Sequence, residues 1–126
     1  MSNPKAIPDD VRRFVLTSIP SVPYLEAALL FQRQPETRWT VAEAARALYI
    51  QEPPAALLLQ TLRDAGVLAC DDGIYRYAPG EQLAQALNRL EQAYLADLIG
   101  VTNLIHDATQ KSARRFADAF RWRKDS

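Results

Sequence analysis

The sequence has one histidine, His106, and one cysteine, Cys70, two residue types that often carry catalysis or bind metals. A single histidine inside a helical pattern is more often a surface or packing residue than a ligand. A reactive thiolate needs basic neighbours that lower the pKa of the thiol, whereas Cys70 precedes Asp71 and Asp72. The four glycines are scattered and form no phosphate-binding loop. We therefore expect no enzymatic activity, no metal and no cofactor.

The basic residues suggest a different chemistry, because they are unevenly distributed. The chain has 15 basic and 15 acidic residues, a balance that is unusual for a dedicated nucleic-acid-binding protein. Six basic residues lie between Lys111 and Lys124 against one acid, Asp118, which leaves nine basic and fourteen acidic residues elsewhere. A basic tail on an acidic body can bind phosphates without base preference.

The first two elements predicted along the chain are a short helix and a central helix. Residues Asp9 and Asp10 are predicted to cap the short helix, which ends before Pro20. The stretch from about Pro23 to Gln34 is apolar almost all round, which is typical of a buried helix.

A capping box starts the next helix at Thr40 and Glu43, with Trp39 packed on its first turn. This helix is predicted to run through Ala44, Ala45, Leu48 and Tyr49. A second helix is predicted to begin at Pro53 and Pro54, since proline suits a first helical turn. The predicted inward residues of this helix are Ala55, Leu58, Leu59 and Leu62, and Gly66 is its expected left-handed stop.

Two short strands follow, and with the helices they carry a family resemblance. Val67–Cys70 and Ile74–Tyr77 flank the turn-forming sequence Asp-Asp-Gly, and Arg38–Trp39 are predicted to add a short third strand. The region from residue 21 to 79 resembles the winged helix-turn-helix of bacterial transcription regulators of the MarR/PadR type. This resemblance implies a mainly α fold with a small β-wing.

The resemblance also implies that the second motif helix enters a DNA major groove. Its outward positions are Gln51, Glu52, Pro53, Pro54, Ala56, Leu57, Gln60 and Thr61. The leading hypothesis is a transcription regulator with weak base reading and phosphate contacts from basic residues. The candidate contacts to double-stranded DNA are Arg46, Gln51, Gln60, Thr61, Arg63, Arg76, Arg114, Arg115, Arg121, Arg123 and Lys124.

An alternative follows from the apolar residues at groove-facing positions. Familiar winged regulators carry polar or basic groups there, whereas this chain has Pro53, Pro54, Ala56 and Leu57. An exposed apolar patch more often marks a protein contact. The alternative function is therefore a docking module for a protein of the transcription machinery.

The residues from 80 to 108 are predicted to form one long helix with an apolar stripe, and Gly100 and the Thr109–Gln110 region are candidate points at which it bends or ends. The stripe comprises Leu83, Leu87, Leu90, Tyr94, Leu98, Val101 and Ile105. Because so small a winged helix cannot bury such a long stripe, we expect a homodimer through this helix. In the alternative, the helix packs back on Phe14 and Leu25 of its own chain.

The last segment, residues 109–126, is basic and amphipathic, with Phe116, Phe120 and Trp122 among its arginines. It could pack on the dimer, bind nucleic acid or, less readily, lie on an anionic membrane. Residues 1–20 are expected to form an N-terminal arm that contains the short helix. No targeting sequence or apolar run long enough to span a membrane is visible, so we expect a soluble cytoplasmic protein.

Overall fold

The computed structural model describes residues 7–110, which are mainly helical with one two-stranded antiparallel sheet. This confirms the predicted mainly α class with a small β element. The helices are α1 (Asp9–Ser18), α2 (Val22–Arg33), α3 (Val41–Leu48), α4 (Glu52–Asp64), α5 (Glu81–Ala96) and α6 (98–110). The strands are β1 (Leu68–Asp71) and β2 (Ile74–Tyr77).

The chain divides into two units, each with its own core. The motif unit is Pro23–Gln92, and the terminal unit contains residues 7–22 and 93–110 of the described chain. In the motif unit the central helix is α2, as predicted. Its buried side chains include Leu25, Leu29 and Phe31. Polar contacts fix α2 beside α5: the Gln32 amide donates to Asn88 over 2.7 Å, and Arg33 Nε lies 2.6 Å from Glu91 Oε2.

The predicted capping box of α3 is present. Thr40 Oγ1 accepts the Glu43 N–H over 3.1 Å, and Glu43 Oε1 accepts the Thr40 N–H over 2.9 Å. Trp39 stacks at a tilt on Phe31, with 5.7 Å between ring centroids. The predicted third strand is a one-residue bridge in which Trp39 and Tyr75 exchange two backbone hydrogen bonds of 2.9 and 2.8 Å. The start of α3 is thereby tied to β2.

Helix α4 begins and ends as the sequence predicts. Its first turn contains Pro53 and Pro54, and it is followed by Gly66 at φ 86°. The Gly66 N–H donates to the Arg63 carbonyl over 3.0 Å, and the Val67 N–H donates to the Leu62 carbonyl over 2.9 Å. These two bonds form a Schellman motif, which requires the left-handed backbone that glycine adopts without strain.

The prediction of a single long helix over residues 80–108 is wrong, because the helix is interrupted at Asp97. The Asp97 side chain accepts the Gly100 N–H over 3.0 Å, and its carbonyl accepts the Val101 N–H over 3.1 Å. Asp97 therefore caps the start of α6. A Cβ atom at Gly100 would collide with the Asp97 carboxylate. The apolar spacing missed the break since the steps Tyr94, Leu98 and Val101 remain helical across it.

The terminal unit buries Val11 and Val15 of α1 together with Val101 and Ile105 of α6. Thr109 Oγ1 donates to the Pro20 carbonyl over 3.2 Å, which joins the end of α6 to the segment after α1. The predicted short helix is confirmed, but its predicted caps are wrong. Pro8 occupies the N-cap position without a side-chain bond, and Asp9 and Asp10 lie in the first turn, where their charge favours the helix dipole.

Candidate contact surface on the motif unit

The outward face of α4 lies where the sequence placed it. Leu57 is 65% exposed, and Ala56 is half-buried. The helix does not need these side chains for its own core, since Ala55, Leu59 and Leu62 are buried on the opposite side. The other predicted outward residues are all exposed, namely Gln51, Glu52, Pro53, Pro54, Gln60 and Thr61.

Tyr49 adds an exposed aromatic ring to the turn that leads into α4. The helix was predicted to run through Tyr49, but α3 ends at Leu48 and the Tyr49 side chain is 94% exposed. Its backbone is left-handed, with φ 59° and ψ 42°. The Ile50 N–H donates to Ala45 and the Tyr49 N–H to Arg46, over 3.0 and 3.2 Å, so a second Schellman motif closes α3. Tyrosine therefore occupies a position that favours glycine.

The strain at Tyr49 has no compensation from packing. A left-handed backbone costs an L-residue roughly 1–2 kcal/mol, because Cβ approaches the following carbonyl. Burial of the ring could offset this cost, but the ring is almost wholly in water. Strained residues persist mainly where function requires them. The available signal in the sequence was the end of the helical pattern at Ile50, directly after Tyr49. We define Tyr49, Pro53, Pro54 and Leu57 as the α4 patch.

Three arginines predicted to contact DNA are exposed on the motif unit: Arg46, Arg63 and Arg76. Arg76 alternates on β2 with the buried Tyr75, so its side chain lies on the exposed face of the strand. Within residues 7–110 it forms no ion pair, with Asp71, Asp72 or any other acid. Arg63 lies 3.4 Å from the Asp64 carboxylate. Both of these groups are exposed, so this pair contributes little stability.

The electrostatic surroundings of the α4 patch are not basic. The motif unit, residues 23–92, contains six arginines, no lysine and nine acidic residues. Glu52 is exposed at the start of α4, where a winged regulator would meet DNA phosphates. Asp71 and Asp72 are exposed at the turn between β1 and β2. These carboxylates would repel a duplex that approached either element.

An open cleft of about 480 Å³ lies beside the strands. Its charged lining has both signs, with Arg38 and Arg76 opposed by Glu36 and Asp71. Tyr77 also lines the cleft, and burial, with a smaller effect from the negative charge of Glu91, raises the pKa of its hydroxyl. The Tyr77 hydroxyl is buried and forms no hydrogen bond within the described chain.

The other residues with catalytic or ligand chemistry stay apart. Cys70 is a half-buried free thiol paired across the hairpin with Tyr75, whose pKa is raised by burial and then by the neighbouring Cys70. His106 is exposed on α6. Among residues 7–110, no group of three or more His, Cys, Asp or Glu side chains could hold a metal ion.

Most of the side chains predicted to form a dimer interface are buried within the single chain. Five of the seven are buried, so they need no partner to remove them from water: Leu87, Leu90, Tyr94, Val101 and Ile105. Leu83 is half-buried and Leu98 is exposed. Dimerisation remains a prediction, but in this conformation its contacts must come from exposed residues. The basic tail candidates lie outside the described residues: Arg114, Arg115, Arg121, Arg123 and Lys124.

Comparison with known proteins gives no relative from which a function could be transferred. No family model matches the chain, and neither does any curated protein or solved structure. Within residues 7–110, no single helix is long and apolar enough to cross a membrane, although α1 and α2 taken together as a bent pair have sufficient length and apolar composition.

Proposed function

We propose that the protein is a non-enzymatic regulatory protein whose motif unit is a winged helix and whose α4 patch docks a protein partner. The order of elements supports the winged helix: α2, the Trp39 bridge, α3, α4, β1 and β2 follow one another as helix, short strand, two helices and a hairpin. The Schellman motif at Tyr49 supports the same interpretation, because it fixes the turn between α3 and α4 that the motif requires.

The observation that carries the docking function is the exposure of two large side chains, Leu57 on α4 and Tyr49 in the turn before it. Leu57 leaves most of an apolar side chain in water, and its complete burial in an interface would contribute about 1–2 kcal/mol. Tyr49 supplies a large ring at a strained turn that folding alone does not favour. Tyrosine is frequent among the residues that dominate binding energy in interfaces. The partner should offer an apolar groove, with a basic group opposite Glu52.

A second candidate function, binding to double-stranded DNA, is favoured by the exposed arginines. Arg46 and Arg76 form no ion pair within residues 7–110, so both remain available to phosphates. Gln51 and Gln60 are exposed and could donate to base edges from α4. The Thr61 hydroxyl, which donates to the Leu57 carbonyl over 2.8 Å, could accept from them. In this function the protein is a transcription regulator, and the basic residues after Gln110 add affinity that falls with salt.

The docking function is tested by site-specific photo-crosslinking in the native host. A benzophenone amino acid at Leu57 should yield one dominant adduct, identified by mass spectrometry, whereas the same group at the exposed Gln85 of α5 should not. The partner is then purified and titrated with the wild type and with Tyr49→Ser. An apolar interface predicts at least a tenfold loss of affinity for Tyr49→Ser. The absence of an adduct specific to Leu57 would refute docking through this face.

The DNA function is tested by mobility-shift titration of the purified protein on unrelated duplexes at low and moderate salt. Replacing Arg114, Arg115, Arg121 and Arg123 by glutamine removes the tail contribution and leaves the motif unit unchanged. If α4 lies against DNA, Leu57→Arg adds a cation near the phosphates and should strengthen binding at low salt. No shift for the wild type at low salt eliminates this function without affecting the docking test.

A further inference from the structure

Three large apolar side chains are exposed where α5 ends and α6 begins. Leu95 is 72% exposed, Leu98 53% and Ile99 70%. All three lie within five consecutive residues of the terminal unit. We call Leu95, Leu98 and Ile99 the apolar corner. Clusters of this kind commonly mark contacts with another macromolecule.

The backbone that carries the apolar corner is held by hydrogen bonds. The Asp97 N–H donates to the Ala93 carbonyl over 2.8 Å at the end of α5, while the Asp97 side chain caps α6 through Gly100. Asp97 is half-buried and its carboxylate is engaged in this cap. The apolar corner is therefore presented on a defined turn, and the one acidic group within it is used internally.

We propose that the apolar corner binds a second copy of this chain in a two-fold symmetric contact, independently of what the α4 patch binds. The scarcity of charged residues around the apolar corner favours a second copy over a charged partner. Residues 93–106 contain no lysine, arginine or glutamate, and Asp97 is their single acid. Without cations, this stretch lacks the groups that bind nucleic-acid phosphates or anionic lipid headgroups. It also lacks free charges to meet a charged protein partner.

A second copy suits such a surface because a two-fold axis brings each residue close to its own counterpart. Any unpaired charge would then meet a like charge, whereas apolar side chains are compatible with themselves. The exposed neighbours Ala96 and Asn103 are also uncharged. The exposed His106 lies about two helical turns beyond Ile99, at the edge of the surface. Leu98 belongs both to the apolar corner and to the stripe from which the sequence predicted a dimer.

Sedimentation velocity of the full chain over a wide concentration range tests the proposal. The wild type should show a concentration-dependent monomer–dimer equilibrium, and the double variant Leu95→Arg/Ile99→Arg should raise the dissociation constant at least a hundredfold. Leu57→Arg is the matched control, since it also places a charge on an exposed leucine but in the motif unit. This control should dimerise as the wild type does.

A covalent readout keeps the test decisive if the charged variant folds poorly. In a Cys70→Ser background, Ile99→Cys should be joined between chains by a short bismaleimide, whereas Leu16→Cys, an exposed position on α1, should not. A wild type that stays monomeric at all concentrations would overturn the proposal. So would a dimer that survives Leu95→Arg/Ile99→Arg, or a monomer that binds phosphatidylglycerol vesicles through these residues.

Discussion

The left-handed backbone at Tyr49 makes an unusual prediction, in which removing an aromatic residue stabilises the protein. Tyr49→Gly relieves a strain of about 1–2 kcal/mol, since glycine adopts φ 59° without a Cβ clash. Glycine also increases the entropy of the unfolded chain, which costs about 0.4–1 kcal/mol. Almost no burial is lost, because the ring is exposed. The expected net gain is about 0.5–1 kcal/mol in the free energy of unfolding, or roughly 3 °C in Tm for a chain of this size.

Thermal and urea unfolding followed by circular dichroism measure this change, with two matched controls. Tyr49→Ala removes the ring but keeps the Cβ and hence the strain, so its stability should stay close to that of the wild type. Gly66→Ala makes the reverse change at the corresponding position after α4, where φ is 86° and nothing lies within 4 Å of the added Cβ. It should lose about 1 kcal/mol through backbone strain alone.

A Tyr49→Gly variant that is less stable than the wild type, while Gly66→Ala loses stability as expected, would refute the assignment of backbone strain to Tyr49. That result would mean that the tyrosine ring stabilises the folded chain through contacts that its exposure does not reveal. If Tyr49→Gly is more stable and also loses the partner adduct at Leu57, the strain is tied to binding.

Two further predictions concern the motif unit. Thr40→Ala removes one half of the capping box and should lower the free energy of unfolding by about 1 kcal/mol, measured by urea unfolding; Thr40→Ser should restore most of it. Because burial raises the pKa of Tyr77 in the folded state, stability that is present below pH 10 should fall as pH rises beyond the unfolded value of 10.0. Tyr77→Phe should reduce that alkaline loss and leave stability at pH 7 unchanged or higher, because the buried hydroxyl has no hydrogen-bond partner within the described chain. An alkaline unfolding profile identical to that of the wild type would contradict this reasoning.

Local chemical signals in the sequence predicted the motif unit better than spacing did. Thr40 with Glu43, Pro53 with Pro54, and Gly66 each specify one backbone geometry, so their predicted roles are confirmed. Leu57 was placed correctly because α4 has a single buried side. These residues define both the turn and the exposed face on which the proposed function depends.

The errors arose where an apolar period continued past the end of a helix, at Tyr49 after α3 and at Asp97 after α5. Tyr49 fits the inward spacing of α3, and nothing in its side chain signals a left-handed residue. Asp97 falls between helical steps of Tyr94, Leu98 and Val101, so its capping role becomes visible only with the Gly100 N–H in place. The sequence also did not reveal that the stripe from Leu83 to Ile105 is largely buried within one chain. Spacing identifies the apolar side of a helix but not what covers it.

The pair of hydrogen bonds between Trp39 and Tyr75 has a mechanical consequence. Trp39 directly precedes Thr40, the N-cap of α3, and Tyr75 lies at the centre of the hairpin register. A displacement of β2 therefore pulls on the first turn of α3 through two short bonds in parallel. The hairpin cannot swing without opening both bonds, so the Trp39 and Tyr75 amides should exchange with solvent at a common rate.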